Sequence, residues 1–291
     1  MSGLVLRLSG PMQSWGTRSH WNIRETLPHP SRSGLIGLLG AALGHDRCKP
    51  LHRFSTLEFT IRVDRRGQSI ADFHTVGGGR PREQTPPTAG GGRRAEGKST
   101  IISERYYLSD AAFTVAVSSV DEELVTDLEA ALHAPTFGVH LGRRSCPPAG
   151  PLLIIRDSDP ATALFDRVPL ARERPRDAPS VSVEFITEHP PEDAAPVRRY
   201  THPAQPLSFA GPRAYEPHTT WHTTHELPAA LCVGLGTSYL DALIDFRESP
   251  PAPRDTQRRE HDQRDRGIVA IEATKAVTTK PHDPFAALGG A

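Results

Sequence analysis

Residues 77–100 constrain this chain more than any other stretch, because they cannot build a core. They hold two triple-glycine runs, Pro81, Pro86 and Pro87, and the cations Arg80, Arg82, Arg93, Arg94 and Lys98, with almost no large apolar side chain. Such a segment gains too little burial to offset the entropy of ordering it, so it must project from whatever folds around it. Its flanks do read as structure. Residues 69–76 and 105–117 alternate apolar and polar side chains as strands do, the second with a bend expected at Ser109-Asp110. A basic, hairpin-like insertion is therefore expected between them.

The elements around the insertion fall into an order. Leu4 to Leu8 is a strand stopped by Ser9-Gly10-Pro11, and a polar loop carrying Trp15 and Trp21 follows it. Ser31-Arg32-Ser33 supplies a serine cap for a helix over residues 34–43, with Gly44 as its stop. Residues 54–63 read as a strand. Ser119 is expected to cap a helix over residues 121–132, whose Asp121, Glu122 and Glu123 sit at its positive end, and residues 151–155 read as a buried strand. The order β-α-β-β-α-β predicts an α+β, ferredoxin-like (RRM-like) domain over residues 1–160. Residues 161–246, with a short helix near Leu164 and Pro-punctuated strands over 181–186 and 218–224, are expected to form a smaller C-terminal β-rich lobe. Residues 247–291, rich in proline and alternating charge, are expected to be a disordered tail.

Charge points to the front half. The chain has a net charge of +0, yet residues 1–110 carry 16 basic and 9 acidic side chains. Of its 34 Lys and Arg residues only four are lysine, and arginine forks onto phosphates and stacks on bases. The three cysteines are far apart and lack C-x-x-C spacing, which argues against disulfides or a zinc knuckle and fits a reducing compartment. The apolar run at 34–43 is too short to cross a bilayer. A soluble, cytoplasmic protein without metal or cofactor is expected.

Several motifs carry chemistry. Gly92 to Ser99 satisfies G-x-x-x-x-G-K-[ST], but Pro86-Pro87 precedes it and Thr100-Ile101-Ile102 follows, so neither the buried strand nor the helix of a phosphate loop flanks it. His218, His222 and His225 lie among threonines that favour a strand, where His218 and His222 share a face and His225 points away; surface histidines are expected, not a metal site. His74 and Thr75 stand at the root of the basic insertion, suited to a polar contact with RNA or a structural hydrogen bond, not to catalysis. Arg143-Arg144, between a glycine and a Cys-Pro-Pro turn, forms a basic loop able to pair with phosphates. The Gln13-Ser14-Trp15 loop and the start of the Ser33 helix offer backbone N–H groups and a stacking surface.

In order and spacing, residues 4–16, 30–40, 72–76 and 141–147 resemble the CasD family of type I-E CRISPR Cascade subunits, within the RAMP superfamily. The resemblance extends loosely to about residue 228 and does not reach the tail. It implies that the insertion, about residues 77–104, is a thumb that presses on the crRNA. It also implies that the partners are the crRNA 5′ handle, the Cascade large subunit and the adjacent backbone subunit, with target DNA met only indirectly. The expected RNA contacts are Gln13, Ser14, Trp15, Arg32, Ser33, His74, Thr75, Arg105, Tyr107, Arg143, Arg144 and Ser145, with Arg80, Arg82, Arg93, Arg94 and Lys98 on the thumb. Relatives of another subtype process crRNA as metal-independent endoribonucleases with a tyrosine, a lysine and a neighbouring histidine. Here Lys98 is followed by Ser99, so a binding role without catalytic residues is expected.

Overall fold

The computed structural model describes residues 1–248 except 17, 18, 21, 89, 192–196 and 212. Strand β1 (Gly3–Ser9) leads through the short strands β2 (Met12–Gln13), β3 (Ser19–His20) and β4 (Ile23–Arg24) to helix α1 (Arg32–Ala42). Ser31 caps that helix, its Oγ accepting from the N–H of Gly34 at 3.2 Å. Next come β5 (Glu58–Arg65), β6 (Gln68–Val76), β7 (Ile101–Ser109) and β8 (Ala112–Ser118), then α2 (Glu122–His133), whose cap is Asp121 rather than Ser119. After β9 (Leu153–Asp157) and α3 (Pro160–Asp166), the strands β10 (Ser180–Thr187), β11 (Arg198–Ser208) and β12 (Ala214–Pro228) precede α4 (Gly236–Glu248).

Two sheets result. The larger has the order β11-β12-β10-β5-β8-β1-β9, antiparallel at every pair. Alternation along β1 explains why both of its faces are buried. Leu4, Leu6 and Leu8 join a core with Leu35, Leu39, Leu124 and Leu128 of α1 and α2. Val5 joins a second core with Leu164 of α3 and Tyr239, Leu243 and Phe246 of α4. Each fully buried leucine of this kind stabilises the fold by about 1.5–3 kcal/mol.

The smaller sheet grows from the insertion. β6 and β7 pair from Gln68↔Ser109 to Val76↔Ile101, and β7 takes β2 antiparallel and β4 parallel on its other edge. The expected bend is where the chain changes sheets. Asp110, at φ 54, separates β7 from β8, and Arg65 at the end of β5 holds it through a 2.8 Å ion pair.

Some boundaries move. Residues 52–54 form a 3-10 turn that seats Phe54 in the core, so the strand expected from 54 starts at Glu58. The segment expected as a separate lobe contributes β10, β12 and β11 to the main sheet, which runs unbroken across the 160/161 boundary. Arg247 and Glu248, expected to open the tail, belong instead to α4, which continues to Glu248 with Tyr239, Leu243 and Phe246 buried. The remainder of that expectation, from 249 onward, and Trp21 lie outside the described residues.

His29, beside the α1 cap, gives a pH prediction. It is buried and edge-on to His222, with Nδ1 2.9 Å from the Pro30 carbonyl. Burial pushes its imidazole down to about 4, against the opposing pull of the Pro30 carbonyl. The unfolded chain takes up this proton near the ordinary histidine value of 6.5 and the folded chain only near 4, so unfolding is favoured by protonation between them. Stability is therefore full above that window and falls by about 2 kcal/mol between pH 7 and 5. Glu184, held low by its hydrogen bond to His222, adds its loss only at lower pH. Glu188 behaves alike: burial raises its pKa, but His218 and Arg32 outweigh that and lower it. Urea midpoints at pH 7 and pH 5 should differ less in His29→Gln than in the parent; equal differences would assign the loss to other groups.

Candidate nucleic-acid interface

The main sheet cannot serve as an open RNA-reading face. In an RNA-recognition module one sheet face is bare and stacks bases; here α3 and α4 cover that face, and Val5, Ala116, Val183 and Phe185 beneath them are buried. The exposed surface lies instead on the β6/β7 hairpin. Every β6 residue is exposed except the half-buried His74.

Register sorts the hairpin's side chains into two faces, because direct partners share a face. Ile70, Asp72 and His74 of β6 stand with Tyr107, Arg105 and Ser103 of β7 on one face. Phe73 and Thr75 stand with Glu104 and Ile102 on the other, where Phe73 is 68% and Ile102 50% exposed. His74 Nδ1 lies 3.3 Å from Asp72 Oδ2, and Arg105 Nε donates to Ser103 Oγ at 3.1 Å.

The basic loop closes over the first face. Leu141 N–H donates to the Cys146 carbonyl at 2.8 Å and Cys146 N–H to the Arg143 carbonyl at 2.9 Å, which makes residues 141–146 a tied turn. Gly142 adopts φ +89, and a Cβ there would meet the Ser14 carbonyl oxygen at 1.8 Å, so only glycine fits. Ser14 N–H in turn donates to the Leu141 carbonyl at 3.0 Å. The Arg143 guanidinium thereby sits 4.8 Å above the Tyr107 ring, with Nη2 donating to the Arg24 carbonyl at 2.8 Å. Its Nη1 is buried with no hydrogen-bond partner among the described residues. Ser145 Oγ lies 3.5 Å from Tyr107 Oη, and Arg144 is exposed beside it. Cys146 is buried and its thiol is pushed up by that burial, so it is no thiolate nucleophile.

Of the sequence-predicted residues, then, His74, Arg105, Tyr107, Arg143 and Ser145 gather around one hairpin face, with Arg144 at its rim. Thr75 points to the opposite face. Four expected contacts, Trp15, Gln13, Ser14 and Arg32, need correction. Trp15 is fully buried, with Nε1 donating to Gln13 Oε1 at 3.0 Å, and a ring without exposed area cannot stack on a base. Gln13 is also fully buried, its Nε2 donating to the carbonyls of Ala111 at 2.8 Å and Leu8 at 3.1 Å, while Ser14 Oγ donates to the Tyr106 carbonyl. These three build the support of the basic loop. Arg32 is committed inward: its Nη1 meets Glu188 at 2.6 Å and the Leu57 carbonyl at 2.9 Å, and its Nε meets Gln205 at 2.6 Å. Ser33 contacts Ser31 at 3.4 Å and the cap itself is Ser31.

The hairpin tip organises itself through polar bonds. Thr85 Oγ1 donates to the Arg94 carbonyl at 2.9 Å, Arg93 donates to the Thr85 carbonyl at 2.6 Å, and Ser99 Oγ donates to the Gly77 carbonyl at 2.8 Å. Arg80, Arg82 and Lys98 are exposed there. The sequence missed the exposed Phe73 and Ile102, although an aromatic in an otherwise polar Asp-Phe-His-Thr strand was a visible signal. The β12 histidines are partly buried: His218 pairs with Glu188 at 2.9 Å and His222 with Glu184 at 3.1 Å. Among the described residues no helix is long and apolar enough to cross a membrane.

Three comparisons bear on this geometry. A family profile described as CRISPR-associated protein (Cas_Cas5) matches residues 3–221. The CRISPR system Cascade subunit CasD of Escherichia coli (strain K12) is 38% identical over 203 residues, spanning 65% of this chain and 84% of that protein. Among solved structures, a chain of a CRISPR RNA-guided surveillance complex superposes with a TM-score of 0.75 at 43% identity, over 85% of this chain and 100% of that one. A second, described as a crystal structure of a Cas protein, gives a TM-score of 0.53 at 29% identity over 80% and 98%. With the profile covering most of its length and CasD matched over most of that protein, this chain belongs to the CRISPR-associated Cas_Cas5 family.

Proposed function

We propose that the chain is the crRNA-binding structural subunit of a Cascade surveillance complex, holding the crRNA 5′ handle beside the large and backbone subunits. The observation that carries this reading is Arg143: a guanidinium stacked on Tyr107, with a buried Nη1 that has no partner among the described residues, at the foot of an exposed hairpin. A buried cationic donor without an acceptor is costly, and the half-buried guanidinium beside the exposed Arg144 is the kind of group that phosphate oxygens accept from. Arg105, Arg144 and Ser145 extend the same strip, and the arginines of residues 77–104 make the hairpin a thumb that follows the backbone of a single strand. The guide's base pairing reads sequence while the protein reads the handle, so target DNA is met only through the RNA.

In this reading the order β9-β1-β8-β5, with α1 and α2 as crossovers, is a ferredoxin-like RAMP body over residues 1–160. Residues 161–246 are a smaller β-rich extension whose α3 and α4 close the sheet face that RNA uses in other modules. That closure shifts RNA binding to the thumb and the 141–146 loop.

Co-expression of the chain with a CRISPR array, followed by sequencing of the RNA that co-purifies, tests the proposal. Handle-bearing RNA is expected, with much less retained when residues 80–98 are replaced by a short Gly-Ser turn. Recovery of bulk cellular RNA without enrichment of repeat sequence would sink it.

A further inference from the structure

We infer that the cavity between β1, the end of β5 and α4 receives one acidic side chain of a neighbouring protein subunit, whose carboxylate meets Arg7. The cavity has a volume of about 230 Å³ and is lined by Arg7, Arg65, Asp110 and Tyr239, with Leu235 and Leu240 among its apolar walls. Its charges are not all settled. Arg65 is paired with Asp110 at 2.8 Å, and the Asp64 carboxylate is spent on Arg62 at 2.7 and 3.2 Å. Arg7 makes no ion pair among the described residues, and its Nε is buried without a hydrogen-bond partner. One cation is left over, and one carboxylate would neutralise it.

Arg7 is held in position for this. Its Nη1 donates to the Ala149 carbonyl, and its guanidinium lies 5.6 Å from the centre of the buried Tyr239 ring, so little rotamer freedom remains to be lost when an anion arrives. Burial holds the pKa of Arg7 below its ordinary value, a cost that a counter-charge relieves. The mouth of the cavity selects the partner's chemistry. While α4 buries Tyr239, Leu243 and Phe246, it leaves Leu240 and Ile244, one turn apart, 39% and 54% exposed. Apolar surface around a lone cation fits a carboxylate flanked by apolar residues, because the rim excludes water and strengthens the charge pair inside. A nucleic acid fits poorly, since Asp110 at the mouth is 78% exposed and would face its phosphates. At about 230 Å³ the cavity is also smaller than the roughly 300–1,000 Å³ usual for small-molecule sites, which favours a protein side chain over a cofactor.

The inference rests on the Cascade reading above, and the test separates the two. Parent and variant full-length chains of different mass are co-expressed with the other Cascade subunits and a CRISPR array, and their ratio in the purified complex is read by mass spectrometry. Arg7→Met should enter about thirtyfold less than the parent, as loss of a desolvated charge pair at an interface implies. Leu240→Asp, at an exposed position that leaves the core alone, should do likewise because it sets a like charge beside the incoming carboxylate, whereas Leu240→Lys should enter nearly as well as the parent. Each isolated variant should bind handle RNA as tightly as the parent. If Arg7→Met fails to fold in a thermal melt, the contrast between Asp and Lys at position 240 decides. Equal entry of the Asp and Lys variants would overturn the carboxylate and leave the Cascade reading intact. Weaker RNA binding by the isolated variants would make this surface an RNA contact, and so also overturn it. Absence of the parent from the complex would overturn both.

Discussion

Replacing Arg143 and Arg144 together by alanine is expected to weaken handle RNA binding by ten- to a hundredfold and to flatten its salt dependence. Each phosphate contact on a single strand contributes about 0.7 to the slope of log K against log salt, so two lost contacts should reduce it by about 1.4. The two residues should not contribute equally. Arg143 is preorganised, stacked 4.8 Å over Tyr107 and tied to the Arg24 carbonyl, whereas Arg144 is exposed. Ordering a free arginine costs rotamer entropy that Arg143 has already lost in folding. Single variants should therefore show the larger affinity loss at 143, and Arg143→Lys should rescue little because an ammonium cannot form the planar stack or the fork. Filter binding across a salt series measures both quantities. An unchanged slope in the double variant would remove the loop from the interface.

The sequence announced the hairpin, because its flanks alternate and its middle cannot be buried. It also placed the bend at Ser109-Asp110, where a positive-φ residue sends one strand into two sheets. The covering of the main sheet was harder to read. Tyr239, Leu243 and Phe246 do follow helical spacing, but the proline-rich sequence that follows masked the helix they belong to. The roles of Gln13, Ser14 and Trp15 were not legible at all. A motif marks positions that matter without saying whether they touch a ligand or hold what does. Gln13 bonds to a carbonyl 98 residues away, at Ala111, and no local pattern encodes such a contact. Arg32 misled for a related reason. An arginine at a helix start looks like an anion donor, and its partner Glu188 lies 156 residues distant.

Arg62→Leu is expected to cost about 3–5 kcal/mol of stability, the largest loss among the substitutions considered, because it strands a buried carboxylate. Arg62 has no exposed side-chain area and Asp64 has 1%. The guanidinium spends all its donors inside: Nε on Asp64 Oδ1 at 2.7 Å, Nη1 on the carbonyls of Leu164 and Val168 at 2.8 Å each, and Nη2 on the Pro169 carbonyl at 2.7 Å. Those carbonyls belong to the end of α3 and the turn after it, so one side chain of β5 pins the helix to the sheet. Thr114 Oγ1 completes the Asp64 shell at 2.8 Å. Losing Arg62 leaves Asp64 without its ion-pair partner in an apolar setting and three carbonyls without this donor, where water cannot enter. Removing the carboxylate as well should recover part of the loss, since a buried pair often breaks even against apolar residues of similar size. Arg62→Leu with Asp64→Leu should thus be more stable than Arg62→Leu alone, by urea midpoint at pH 7. If the double variant were less stable by the full sum of the single losses, the pair would be uncoupled and Arg62 would act only as a cap on α3. Because α3 and α4 share one core against the sheet, either outcome also measures how firmly the blocked sheet face is held shut.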